Sequence, residues 1–246
     1  MKGAAVGIRL AFSESEKLVG RCEVASVRLT SDEEGYDDGA VVPHGHWQPL
    51  THEDAKCLQA GDATPESVRI ELIRRPLLPF ATDDVAGRLD AAARLDSLPR
   101  CWPTELLGCT ASTGDTATTT QDPANGLRIG LHVDNFDRLP YNRRHESRRR
   151  LCLNLGPGSR YLLVADRDIQ KICRALGADA QSHYPHTEDI RRYLADGHPL
   201  RCLRIRFGPG EGYIAPTELL PHDGSTSGIE QPSVAAFWLG RPPSPQ

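Results

Sequence analysis

The sequence predicts a mainly β protein in which short strands form a barrel or a sandwich and helices pack on its outside. Three observations favour this fold class: apolar, β-prone runs recur in the second half of the chain, Gly-Pro turns separate several of them, and helix signals lie mostly before them. The predicted strands of this half cover residues 127–133, 150–155, 160–165, 202–207, 212–216 and 234–240.

The first half of the chain mixes short strands with helices. Strands are predicted at 5–12 and 24–29, and the second precedes an acidic loop that contains glycine. Helices are predicted at 50–61, 64–75 and 82–98. Each of these segments begins with capping or acidic residues, which satisfy the free N–H groups of a first helical turn.

Residues 109–126 are small, polar and aperiodic, which predicts a loop. Two interpretations remain open: a flexible connector, or a lid over a functional site. Two more helices, at 166–177 and 186–197, interrupt the strand-rich half. We expect one domain, in which residues 1–126 give helical and strand support and residues 127–241 form the strand core.

Composition and charge exclude several classes of function. The 246-residue chain has a formal net charge of −4, so no overall attraction to nucleic acid or to an anionic membrane is expected. Seven scattered cysteines without a Cys-x-x-Cys pair indicate neither a disulfide framework nor a structural zinc site. Neither a signal peptide nor a membrane span is indicated. We expect a cytoplasmic protein that binds neither nucleic acid nor membrane; its oligomeric state is left open.

Three His-x-acid triplets occur in the chain, and their predicted backbones separate them. With nine histidines and 33 acidic residues, roughly one such triplet is expected by chance, so its context must decide. His52 and His186 begin triplets at predicted helix starts. There, side chains two residues apart diverge, and the acidic residues are explained by capping or by the helix dipole. We expect both triplets to be structural.

His132 and Asp134 form the third triplet, at the end of a predicted strand. Side chains two residues apart on a strand project from the same face, so both can bind one metal ion. His222, after a strand-like run and a turn bounded by proline, is the candidate third ligand. Two histidines and one carboxylate leave open positions on an octahedral ion, which suits a non-haem Fe(II) that binds a co-substrate and O₂.

Residues 127–241 resemble the Fe(II)/2-oxoglutarate-dependent oxygenase superfamily. The resemblance rests on the His-x-Asp triplet at 132–134 and on the glycine, apolar, proline and then histidine order of residues 208–222. It implies a double-stranded β-helix, which is a jelly-roll or cupin-like barrel, with Fe(II) bound by His132, Asp134 and His222. It also implies 2-oxoglutarate and O₂ as co-substrates and a hydroxylase activity that forms succinate and CO₂.

The expected co-substrate clamp departs from the family's pattern. Many members carry an Arg-x-Ser pattern after the distal histidine, and the matching segment here begins with Gln231 and keeps only Ser233. Other branches take the cation from a strand soon after His-x-Asp, which points to the arginines at 148–150.

Arg150 is the first choice for a bidentate contact with the far carboxylate of 2-oxoglutarate, because it is in phase with Cys152 and Asn154. Arg149 and Arg160 are the alternatives, and Asn154 is expected on the same face.

Two other classes of function remain open. A cupin-type metalloenzyme that does not use 2-oxoglutarate would share the barrel, and the missing arginine after His222 favours it. A non-catalytic β-barrel binding module would carry the triplet by chance. For an enzyme, the small chain without an added recognition domain favours a small molecule, an amino acid or a short peptide as substrate.

Overall fold

The structure, a computed structural model, describes residues 9–11, 20–58, 69–74, 87 and 104–241. Within these residues the protein is mainly β. The strands are β1 (Arg9–Ala11), β2 (Cys22–Leu29), β3 (Tyr36–Pro49), β4 (Arg69–Arg74), β5 (Thr104–Ser112), β6 (Arg128–Gly130), β7 (Arg149–Pro157), β8 (Arg160–Ala165), β9 (Arg201–Phe207), β10 (Glu211–Ala215), β11 (His222–Ser225) and β12 (Ser233–Gly240). The helices are α1 (His52–Leu58), α2 (Ile169–Ala175), α3 (Thr187–Ala195) and a 3₁₀-helix, Tyr141–Glu146.

The strands pair into two six-stranded sheets. The first sheet has the order β1-β4-β10-β7-β12-β5, and the second has the order β11-β8-β9-β2-β3-β6. An isolated antiparallel bridge between His132 and His222 joins the two edges of the second sheet, because His132 follows β6 and His222 begins β11. This bridge makes the second sheet a nearly closed, barrel-like structure.

Alternation along β7 separates an inner face from an outer face. Cys152 belongs to the large core cluster, together with Tyr213 on the neighbouring strand β10. Leu151 and Leu153 instead pack with Trp238 in a second cluster. Because successive side chains of a strand point to opposite faces, even-numbered residues of β7 face the main core.

Most predicted elements lie where the sequence places them. The six strands of the second half and the helices predicted at 166–177 and 186–197 are confirmed. In the first half, the strand at 24–29 is also confirmed, the helix predicted at 50–61 is confirmed over His52–Leu58, and β1 lies within 5–12; residues 59–61 lie outside the described residues. The helix predicted at 82–98 lies outside the described residues, apart from position 87. None of the helices in the described ranges has the length and hydropathy that a membrane span requires.

Two predictions in the first half are wrong. Residues 69–74 form β4 instead of the second half of a helix, because the alternation of charged and aliphatic residues there favours a strand that pairs with β10. Residues 109–112 belong to β5 instead of a loop, and β5 pairs with β12. With β2 and β3 beside β9, the strand core extends well beyond residues 127–241.

Candidate metal centre

His132, Asp134 and His222 meet where the two edges of the second sheet approach each other. A ligand atom from each lies within 4.8 Å of the other two. The two imidazole centroids are 4.5 Å apart, and Oδ2 of Asp134 is 3.7 Å from Nε2 of His222. All three residues are buried. The structure thus brings together the three residues that the sequence singled out.

Backbone hydrogen bonds hold the two histidines opposite each other. The N–H of His132 donates to the carbonyl of His222 at 3.0 Å, and the N–H of His222 donates to the carbonyl of His132 at 2.8 Å. Gly130 lets β6 approach β3 this closely: its φ is 69°, and a Cβ there would lie 2.4 Å from the carbonyl oxygen of Val41. The strand spacing that places His132 at the centre therefore depends on this glycine.

The imidazoles present their Nε2 atoms to the centre. Nδ1 of His132 lies 2.9 Å from the carbonyl oxygen of Gly130, and Nδ1 of His222 lies 3.0 Å from that of Leu220. A carbonyl only accepts, so each Nδ1 carries the proton and each Nε2 keeps its lone pair. Among the described residues, Nε2 of His222 and Oδ2 of Asp134 are buried without a hydrogen-bond partner. A metal ion would satisfy both atoms, so the donor set fits a metal.

The local charges favour the ligand forms of these residues. Burial lowers the pKa of His222 to about 3, which leaves its imidazole neutral. For Asp134, burial acts to raise the pKa, but the guanidinium of Arg150 and the two histidines outweigh it and hold the pKa below the ordinary value. At neutral pH the centre therefore offers a carboxylate and an unprotonated imidazole, as metal binding requires.

Arg150 contacts a predicted metal ligand directly. Its Nη2 donates to Oδ1 of Asp134 at 2.9 Å, and its guanidinium carbon lies 5.5 Å from the ring centroid of Phe136 and 5.4 Å from that of Phe237. Arg150 points inward, as its phase with Cys152 predicts, but it is already paired with a carboxylate. Its position differs from that of the free co-substrate clamp that the sequence suggested.

Arg149 and Asn154 lie away from the centre, contrary to their predicted role. Arg149 is on the outer face of β7, where its Nη1 donates to the carbonyl of Arg69 at 3.1 Å. Asn154 is on the inner face, but its side-chain amide donates to the carbonyl oxygens of Gly158 and Phe207 at 3.0 and 3.2 Å. It fixes the turn between β7 and β8, because these partners lie at the far end of the strand.

A cavity of about 590 Å³ opens between the two sheets, beside His222. Arg150, Arg160 and Phe237 line it, together with β5 and residues 119–121. Arg160 is only 4% exposed, and its Nη1 has no hydrogen-bond partner within the described part of the chain. The sequence offered Arg160 only as an alternative; in the structure it is a buried cation that has no carboxylate partner among the described residues.

The guanidinium of Arg160 lies over Gly224 on β11. A Cβ at Gly224 would lie 2.6 Å from Nη2 of Arg160 and 2.4 Å from Oγ1 of Thr119. Gly224 follows His222 by two residues, so the guanidinium lies roughly 7 Å along the strand from this histidine. Ser233 is fully buried opposite Ser112, which lines the same cavity, and its Oγ has no partner among the described residues.

A second cavity, of about 540 Å³, reaches the centre from the other side. Its charged lining comes from β3, α3 and the loop before β6. His132 and Asp134 form its inner end, and Arg191 pairs with Asp37 across it at 2.6 Å. The candidate centre thus lies between an inner and an outer cavity. The remaining lining residues include Asp122, Glu188, Thr120, Gln121 and Arg150.

Arg144 and Glu218 are structural residues of the site that sequence reasoning missed. Arg144 is fully buried; its Nη1 donates to the carbonyl of Asp134 and to Oε2 of Glu218, both at 2.9 Å. Its Nη2 donates to Oδ1 of Asn135 at 2.7 Å and to the carbonyl of Pro185 at 3.1 Å. Arg144 therefore joins the segment that carries Asp134 to the turn that precedes His222. In the sequence it is one arginine of a basic run, without a distinguishing signal.

Asp223 holds part of the predicted lid in place. Its Oδ1 accepts hydrogen bonds from the N–H of Thr120 at 3.1 Å and from the Thr120 hydroxyl at 2.7 Å. Thr118 nearby is fully buried. Residues 118–120 are therefore fixed against the cavity wall in this structure.

The other two triplets have local structural roles. In the triplet that begins with His52, Asp54 pairs with the preceding residue, Thr51. The Thr51 hydroxyl donates to Oδ2 of Asp54 at 2.7 Å and accepts the N–H of Asp54 at 3.0 Å, which caps α1. In the last, His186 is the N-cap of α3.

No model of a known protein family matches the chain, and no curated protein matches it significantly. The functional conclusion therefore rests on the site itself.

Proposed function

We propose that the protein is an Fe(II)- and 2-oxoglutarate-dependent oxygenase that hydroxylates a C–H bond of a small, polar substrate. The observation that carries the proposal is the convergence of His132, Asp134 and His222, with unsatisfied donor atoms, beside a cavity that contains the cation of Arg160, which is unpaired within the described ranges. A metal ligand set and a buried anion site in one barrel are the two features that this chemistry needs.

The strand pairing supports a double-stranded β-helix. From β5 onward the pairs are nested: β5 pairs with β12, the end of β6 meets β11 at the histidine bridge, β7 pairs with β10, and β8 pairs with β9. A long hairpin folded over into two sheets gives this pattern, which is the topology of a jelly roll. In it, the His-x-Asp triplet and the distal histidine belong to one nested pair.

His132, Asp134 and His222 would hold the metal ion. Bound Fe(II) would supply the activation of O₂ that is coupled to the conversion of 2-oxoglutarate into succinate and CO₂ and to oxidation of a substrate C–H bond. Arg150 orients the carboxylate of Asp134: it occupies Oδ1, so Oδ2 remains for the metal. The Nδ1–H bonds of the two histidines orient their rings in the same way.

Arg160 would bind the far carboxylate of 2-oxoglutarate. A buried guanidinium without a counter-ion costs several kcal/mol, so its burial is best explained by an anionic ligand. Its position over Gly224, about 7 Å along β11 from His222, suits a five-carbon dicarboxylate whose other end is at the metal. The same cation argues against a cupin-type enzyme whose ligands are all neutral, which would have no use for it.

The outer cavity would receive the substrate. Its volume of about 540 Å³ is that of a small-molecule site, and it reaches His132 and Asp134. Its charged lining, with Asp37, Asp122, Glu188 and Arg191, suits a polar molecule such as an amino acid or a short peptide. Phe237 on the inner side covers Arg150 and limits water around the centre.

Anaerobic titration with Fe(II), with and without 2-oxoglutarate, tests the proposal. We expect a metal-to-ligand charge-transfer band that requires both additions and that disappears in Arg160→Ala at moderate 2-oxoglutarate concentration. Stoichiometric iron binding without a band at any 2-oxoglutarate concentration would favour the cupin-type alternative. Absence of stoichiometric iron binding would favour the non-catalytic binding module.

A further inference from the structure

A second cluster of metal-ligating side chains lies in the chain segment that connects β8 to β9, and it shares no residue with the barrel centre. Cys173 on α2, His183 in the connecting segment and Asp189 on α3 bring a thiol, an imidazole and a carboxylate together. Their ligand atoms all lie within 4.8 Å of one another. The three residues thus come from three successive parts of the helical connection between β8 and β9.

The spacing of His183 and Asp189 is close to that of two ligands on one ion. Nε2 of His183 lies 3.0 Å from both carboxylate oxygens of Asp189. Two ligands of a tetrahedral ion with bonds near 2.0–2.1 Å are roughly 3.3 Å apart, so small shifts would admit an ion between them. Cys173 is fully buried behind them, whereas the His183 side chain is one-third exposed and leaves an approach from solvent.

We propose that Cys173, His183 and Asp189 bind a zinc ion, with water as the fourth ligand. A sulfur, nitrogen and oxygen donor set selects zinc or a similar borderline ion, because magnesium and calcium prefer oxygen ligands alone. Asp189 has the outer support that metal-binding carboxylates usually have: its Oδ2 accepts the N–H of His186 at 2.8 Å. Oδ1 can then bind the ion while Oδ2 keeps its hydrogen bond at the start of α3.

The plain alternative is a hydrogen-bonded His–Asp pair beside a core cysteine. That alternative accounts for His183 and Asp189, but it gives no role to a thiol whose sulfur lies within 4.8 Å of a ligand atom of each. Burial raises the pKa of the Cys173 thiol to about 12; the nearby carboxylates of Asp189 and Asp168 add to this, and Arg144 opposes it. Zinc binding must therefore release the thiol proton.

The ion would connect α2, the connecting segment and α3 into one unit. This unit forms part of the wall of the outer cavity through Glu188 and Arg191, and the carbonyl of Pro185 accepts a hydrogen bond from Arg144. Zinc at this position would fix the shape of that wall. The zinc proposal does not depend on the proposed oxygenase function, because no residue is shared with the barrel centre.

Cobalt(II) is a suitable probe, since a thiolate ligand gives an intense sulfur-to-cobalt charge-transfer band that histidine and carboxylate ligands do not give. With the full-length protein we expect saturating Co(II) to produce this band with an intensity of one thiolate site per chain, Zn(II) to abolish it by displacement, and His132→Ala, at the separate barrel centre, to leave its intensity at saturation unchanged. Cys173→Ala should lose the band, whereas Cys202→Ala, at another fully buried thiol, should keep it.

His183→Ala provides a second variant, because this side chain is partly exposed and its loss should leave the fold intact. We expect its affinity for Co(II) at the thiolate site to fall at least about tenfold. No charge-transfer band at excess Co(II), or a band that survives Cys173→Ala or is unaffected by His183→Ala, would overturn the assignment. A parent protein that gives the cobalt band but shows no turnover of 2-oxoglutarate would count against the oxygenase proposal alone.

Discussion

The start of β7 and the start of β8 each place an arginine inside the barrel, and the two arginines differ in one respect. Arg150 is paired with the carboxylate of Asp134, whereas Arg160 has no carboxylate partner among the described residues. One buried nitrogen of each, Nε of Arg150 and Nη1 of Arg160, has no hydrogen-bond partner there, and both guanidinium groups lie against Phe237. A buried cation that already has a carboxylate shapes the protein's own site, whereas a buried cation without one indicates an anion from outside. Under the proposed function, this difference places Arg150 with the metal ligand Asp134 and leaves Arg160 for the co-substrate.

The largest effect is expected when the candidate metal centre itself is removed. His222→Ala and Asp134→Ala should abolish stoichiometric Fe(II) binding, because each removes one of three protein ligands. Equilibrium dialysis under anaerobic conditions measures this. His186→Ala, at a helix cap, should bind iron like the parent, and iron binding retained by both ligand variants would show that the centre is wrongly assigned.

Arg160→Ala should raise the apparent KM for 2-oxoglutarate about a hundredfold and leave Fe(II) affinity nearly unchanged. Removal of one partner of a buried charge pair typically costs 2–5 kcal/mol, about 30-fold or more in affinity. Arg160→Lys should recover only part of this loss, because lysine keeps the charge but not the fork. The exposed Arg206 on β9 provides the control Arg206→Ala. An unchanged KM in Arg160→Ala would remove the distinction between the two arginines.

Arg150→Gln should have the opposite profile: Fe(II) affinity should fall about tenfold, with a smaller change in the KM for 2-oxoglutarate. The reason is that Oδ1 of Asp134 loses its charged donor, and loss of such outer support typically weakens metal binding 10–100-fold. If Arg150 instead bound the co-substrate, as its phase in the sequence suggests, Arg150→Lys and Arg150→Gln would both raise the KM for 2-oxoglutarate and leave Fe(II) affinity unchanged. That result would reassign Arg150 to the co-substrate.

A third buried arginine, Arg144, is paired with Glu218, and this pair should make the stability of the protein depend on pH. Burial raises the pKa of Glu218, the partner of Arg144, to about 7 from 4.5. Between these values the folded protein holds a proton that the unfolded chain releases, so the free energy of unfolding falls as pH rises from about 4.5 to 7.

Glu218→Gln should remove this pH dependence, which we expect to be on the order of 2 kcal/mol in the metal-free protein. Urea unfolding at pH 5 and pH 8 measures it. The exposed Glu188 gives the matched control Glu188→Gln, which should follow the parent. Identical pH profiles for the parent and Glu218→Gln would mean that Glu218 is ionised throughout.

The sequence was most informative where periodicity and side-chain direction agree. The alternating runs of the second half predicted its strands, and the spacing of His132 and Asp134 predicted their common face. The phase of β7 also predicted that Arg150 points inward. None of these arguments needs knowledge of distant partners, because each follows from the local backbone.

The remaining features depend on contacts between distant segments. A capping signal at Thr64 suggested a helix, but pairing with β10 made residues 69–74 a strand. Arg144 looks like its neighbours in the sequence, and only the fold brings Glu218 to it. In the same way, the alternation along β7 shows that Arg150 faces inward, but only the fold shows that it pairs with Asp134. Only the fold shows, too, that Arg160 has no carboxylate partner among the described residues.

The bridge between His132 and His222 joins residues that are 90 positions apart in the chain. An ion bound there would act as a reversible cross-link across that long loop. Because the unfolded chain has no such site, each tenfold increase in free metal above the dissociation constant would add about 1.4 kcal/mol to the free energy of unfolding. The melting temperature would then depend on the supply of metal, and the metal-free protein would be the form most readily lost to proteolysis.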